Sequence, residues 1–141
     1  MTAKEYLHQA YRLDHRINSD LEELARLREL SVSISSPVIA ERVQSSRSKD
    51  APFVRCFLKI RDLEEKINAE IDQLVDLKDE IRSVIDRVKD PDEQMVLRYR
   101  YINGMSWEQI GEELSIDRTT VYRWHNMALH HVILPDRPLR I

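Results

Sequence analysis

His125, His130, His131 and Cys56 have the widest chemical repertoire in this 141-residue chain, because imidazole and thiolate serve as metal ligands, bases and nucleophiles. Their spacing argues against those uses. Adjacent histidines cannot share one helical face, and no carboxylate lies at ligand spacing in the same turn, so no metal site is expected. Cys56 is the only cysteine, which excludes an internal disulfide and a cysteine-built zinc site. No Ser-His-Asp ordering, nucleophile elbow or paired-carboxylate cleft emerges. Two glycines, Gly104 and Gly111, are too few for a glycine-rich phosphate loop. The expectation is a protein without catalytic residues or cofactor, and not an enzyme.

The informative segment organises backbone instead. After the helix stop Asn103-Gly104, Ser106 can cap a helix with Gln109 as its box partner, while Met105 and Ile110 form a hydrophobic staple. Asp117 caps the next helix, with Ile116 and Val121 as a second staple. Two short helices joined by a tight turn make a helix-turn-helix. Ile110, Leu114, Ile116, Val121 and Trp124 take its buried positions, Gly111 the point of close approach, and Trp107 the role of packing anchor. Ser115 stands at the turn position where glycine is usual, at some cost in backbone strain. Just upstream, Asp90-Pro91-Asp92-Glu93 reads as a helix start, with Asp90 as N-cap and Glu93 closing a capping box.

Two longer elements must carry this unit. Tyr6, Ala10, Leu13, Ile17, Leu24 and Leu27 recur in steps of three and four with Asp20 as the polar intruder, and Leu7, Leu21 and Leu30 widen the stripe. Phe53, Cys56, Ile60, Leu63, Ile67, Glu70, Leu74, Leu77, Ile81, Val84 and Val88 form a heptad seam interrupted only by Glu70, flanked by Ile71 and Ile85. Helices over residues 3–30 and 54–89 can pair antiparallel across a serine-rich connection, residues 31–52. The expected fold is all-α: a helical hairpin or coiled coil over residues 1–90, then the helix-turn-helix with an extended tail over residues 91–141. The second helix is the longer, which leaves apolar surface near one end for a partner.

Charge is close to balanced, with 22 basic and 25 acidic residues and a net charge of -3, which excludes a polyanion-coating protein. Residues 91–141 hold six bases and seven acids, whereas residues 41–61 hold six bases and two acids. No apolar run approaches the roughly 20 residues of a membrane span, and the first ten residues lack the order of a signal peptide. A cytoplasmic protein without membrane contact is expected.

Residues 94–129, QMVLRYRYINGMSWEQIGEELSIDRTTVYRWHNMAL, resemble region four of bacterial sigma factors, a helix-turn-helix that reads promoter DNA. With a helical N-terminal half, the chain is similar to small phage and prophage transcriptional regulators of the ArpU-like kind. The N-terminal half lacks a sigma factor's melting and core-binding regions. The resemblance implies a recognition helix that begins at Arg118, with Arg118, Thr119, Thr120, Tyr122, Arg123 and His125 toward double-stranded DNA. Arginine suits guanine O6 and N7, threonine suits phosphate or a thymine methyl, and tyrosine suits phosphate. Arg42, Arg47 and Lys49 are candidate phosphate contacts that would relieve the poor local charge balance. The implied function is sequence-specific transcription regulation, with a homodimer or RNA polymerase as partner. The alternatives are a polymerase-binding adaptor or inhibitor that does not touch DNA, and a phage DNA-packaging protein.

Overall fold

The computed structural model describes residues 1–34 and 51–141. The regular elements among them are helical: α1 (Ala3–Ile34), α2 (Ala51–Asp86), α3 (Pro91–Leu97), a π-helical turn (Arg98–Ile102), α4 (Trp107–Leu114) and α5 (Arg118–His131). The fold is all-α, as the periodicities predict. No helix among the described residues is long and apolar enough to cross a membrane. α1 starts at a capping box absent from the sequence reading, in which Glu5 N–H donates to Thr2 Oγ1 (3.2 Å) and Thr2 N–H to Glu5 Oε2 (2.9 Å). It also continues about one turn past residue 30.

The chain forms two compact units, one of Met1–His15 with Asp72–Ile141 and one of Arg16–Ile71. This differs from the expected division between residues 90 and 91. In the first unit Leu97, Tyr101 and Ala128 share one buried cluster with Tyr6, Leu7 and Ala10 of α1 and with Leu77, Ile81, Val84 and Ile85 of α2. Burying each large apolar side chain is worth about 1.5–3 kcal/mol, and the short C-terminal helices and the ends of α1 and α2 supply that cover to one another. The two long helices are antiparallel here: Tyr6 OH donates to Glu80 Oε1 (2.7 Å) and Lys78 Nζ lies 3.0 Å from Asp14 Oδ2. Gln94 Nε2 donates to Asp86 O and Val88 O at the end of α2, satisfying carbonyls that a helix terminus leaves open.

In the unit Arg16–Ile71, α1 and α2 are again antiparallel. Cys56 Sγ donates to Leu27 O (3.4 Å), and Arg28 pairs with Glu64 at 2.8 Å. Ile17, Leu24, Cys56 and Ile67 are buried. The polar interruptions of the two stripes meet: Asp20 and Glu70 are both buried, with Lys66 Nζ 3.7 Å from Asp20 Oδ2 and 3.8 Å from Glu70 Oε1. Leu21, Leu30, Phe53 and Ile71, expected to widen or extend the apolar faces, are exposed, whereas Leu7 and Ile85 are fully buried. Two helices share one interface, so a residue beside that stripe is covered only where a further helix packs, as α3 and α5 do in the first unit.

Candidate nucleic-acid interface

The helix-turn-helix is built by its caps. Ser106 Oγ accepts from Gln109 N–H (3.2 Å) while Gln109 Oε1 accepts from Ser106 N–H (2.9 Å), the reciprocal box that the spacing predicts. α4 ends at Ser115 in the left-handed region (φ 57°), and Asp117 Oδ1 starts α5 by accepting from Thr120 N–H (3.2 Å). Hydrogen bonds from the Thr120 hydroxyl and N–H hold the Asp117 carboxyl below its usual range. A Cβ on Gly111 would stand 2.9 Å from Ile116 O, so the turn closes only over glycine. Val96, Ile110 and Val121 form the buried centre, with Met105, Leu114, Ile116 and Trp124 packed against it. Both expected staples lie in that cluster. Asp90 caps α3 by accepting from Asp92 and Glu93 N–H. Glu93 does not close a box; its carboxylate is buried and pairs with His131 Nδ1 at 2.7 Å.

Of the residues implied by the resemblance, α5 presents Arg118, Thr119, Tyr122 and Arg123 to solvent, with Tyr122 46% exposed. Arg118 lies 3.8 Å from Glu108 Oε1, and both side chains are mostly exposed. Such a surface pair is worth about 0–1 kcal/mol, so it holds the guanidinium only weakly. Thr120 is half-buried and serves the cap. His125 departs from the expectation of a groove-facing or solvated side chain. It is 4% exposed, and its Nε2 lies 2.6 Å from Tyr101 OH. Burial first, and then the charge of Arg100, pull its pKa from the usual 6.5 to about 4, so the ring is neutral at pH 7. The cause is positional: His125 follows Val121 by four residues, and Val121 points into the core. Trp124, expected in the core, is only partly buried. Arg42, Arg47 and Lys49 lie outside the described residues.

A second group of side chains escaped the sequence reading. The π-helical turn inserts an extra residue, marked by the Asn103 N–H bond to Arg98 O (3.0 Å), and aims neighbouring side chains apart. Tyr101 turns inward to His125, whereas the Arg100 guanidinium lies between the rings of Tyr11 (3.8 Å) and Trp107 (4.1 Å) and donates to Met105 O. Tyr11 packs against His8 (5.8 Å between centroids) and Trp107 against Tyr122 (4.9 Å). A column from His8 through Tyr11, Arg100 and Trp107 therefore ends on the exposed face of α5. The alternation Arg98-Tyr99-Arg100-Tyr101 was its one visible signal, but helical periodicity does not announce a π turn.

α5 carries the side-chain hydrogen-bond donors Arg118, Thr119, Tyr122 and Arg123 on its exposed face. Residues 33–132 match the family model described as "Protein of unknown function (DUF1492)". Comparison with curated proteins and with solved structures finds no match. The match covers well over half of the chain, from the end of α1 through α5, and on that basis the protein belongs to the DUF1492 family.

Proposed function

We propose that this protein is a sequence-specific double-stranded DNA-binding regulator of transcription, of phage or prophage type, that acts in the cytoplasm without catalysis or cofactor. The observation that carries the reading is the exposed row Arg118, Thr119, Tyr122 and Arg123 on a capped helix whose opposite face, Val121, His125 and Ala128, is buried. Helix-turn-helix proteins place such a face in the major groove, where an arginine reads guanine through paired donors. The likeness of residues 94–129 to sigma region four supports the same reading.

Binding to fragments of the protein's own genomic neighbourhood, at two salt concentrations, tests it. The parent chain prefers one fragment, and Arg118→Ala and Arg123→Ala each lose about 1–3 kcal/mol of that preference with helicity and melting unchanged. Variants that bind the preferred fragment as tightly as the parent remove α5 from the role of recognition helix.

A protein-contact reading has its own support. Phe53 and Phe57, and Val54 and Leu58, form two i,i+4 rows on α2 that are 42–53% exposed. Exposed apolar rows of this kind mark association surfaces. We assign them to a homodimer interface, with RNA polymerase as the alternative partner.

A further inference from the structure

The charge deficit of residues 91–141 has a structural remedy at the opposite end of the column. Lys4, His8 and Arg12 recur every four residues along α1 and share with Arg140 the wall of an open cleft of about 520 Å³. The tail that carries Arg140 is clamped in place. Gln9 Nε2 donates to Leu139 O (2.9 Å), Gln9 Oε1 accepts from Ile141 N–H (2.8 Å), and Glu80 Oε1 accepts from Leu139 N–H (3.0 Å). Among the described residues no carboxylate pairs with Lys4, Arg12 or Arg140. Glu5 is the one acidic side chain in the wall, and its carboxylate accepts from Thr2 N–H. Partial burial, and then the charges of Arg12, Arg100 and Lys4, lower the His8 pKa, which leaves Lys4, Arg12 and Arg140 as the cations of the wall.

We infer that the cleft walled by Lys4, His8, Arg12 and Arg140 receives backbone phosphates of the duplex whose bases α5 contacts, an inference that rests on the DNA-binding reading above. The cleft and α5 belong to the same compact unit. The column from His8 to Tyr122 links them through side chains that are all at least partly exposed. It passes Trp107, the first residue of α4, and the first helix of a helix-turn-helix crosses the DNA backbone. Lys4 and Arg12 stand two four-residue steps apart on α1, about 12 Å, and Arg140 lies in the same wall, a spread of charge suited to a polymeric anion rather than to a single free phosphate.

The test measures affinity of the full chain for a preferred and a scrambled 30-base-pair duplex (length about three helical turns) across a salt series. Relative to the parent, Lys4→Gln/Arg12→Gln/Arg140→Gln shows a log–log salt slope shallower by about 2–3 and weakens both duplexes by the same factor. Lys4→Arg/Arg12→Lys/Arg140→Lys restores the slope. If the triple variant fails to fold by circular dichroism, Arg140→Gln alone decides, with an expected loss of about one unit of slope. An unchanged slope in a folded variant, with the parent still bound to DNA, overturns this inference and leaves the recognition-helix reading standing. A parent chain that binds neither duplex at any salt overturns both.

Discussion

His125 gives a residue-scale forecast with a defined sign. Its folded-state pKa of about 4 lies below the usual 6.5, so the unfolded chain binds more protons between those values. The stabilisation is complete above pH 6.5 and is lost as pH falls toward 4, on the order of 3 kcal/mol in all. Urea unfolding followed by tryptophan fluorescence from pH 7 to 4 measures it, and His125→Gln flattens the dependence. Glu70 acts in the opposite direction. Burial, and then the neighbouring Asp20 carboxyl, raise the Glu70 pKa, so the folded chain holds its proton to higher pH. That stabilisation is present at acid pH and is lost as pH rises above the ordinary glutamate range through the raised value. Replacing both acids, Asp20→Leu/Glu70→Leu, removes two desolvated groups and is expected to stabilise the protein at pH 7 by about 1–4 kcal/mol, read as a higher urea midpoint. A lower midpoint for that double variant would show that the pair and Lys66 hold the two helices together.

At the scale of elements, the turn between α4 and α5 determines how the exposed face of α5 is presented. Gly111→Ala drives a methyl against Ile116 O, a backbone atom that cannot swing aside, and is expected to cost about 1–3 kcal/mol despite the better helix propensity of alanine. Ser115→Gly relieves a left-handed φ of 57° and is expected to stabilise by about 0.5–1 kcal/mol, the strain being partly offset by glycine's greater freedom when unfolded. Thermal melts of the two variants should move in opposite directions. Both effects were legible in the sequence, because a glycine between helix caps and a serine at a turn position are local signals. The π-helical turn was not, since an extra residue in a helix follows from what Arg100 and Tyr101 pack against.

At the scale of the whole molecule, the proposed homodimer interface over the exposed rows Phe53/Phe57 and Val54/Leu58 predicts a concentration-dependent mass. Sedimentation equilibrium at micromolar concentration is expected to give a dimer, and Phe57→Asp/Leu58→Asp a monomer. A monomeric parent would transfer that surface to a polymerase-type partner. Dimerisation would supply a second α5 and half-sites about one helical turn apart, which raises affinity without new contacts. By itself, the sequence determined the helices, the caps of α4 and α5 and the two stripes with their acidic interruptions, because these depend on spacing along one chain. It did not determine that Asp20 meets Glu70, that His125 is buried against Tyr101, or that α1 and the C-terminal helices share a core. Those outcomes belong to the tertiary structure, because a side chain's burial and charge environment are decided by whichever distant segment covers it, and periodicity shows that a face needs cover but not what covers it.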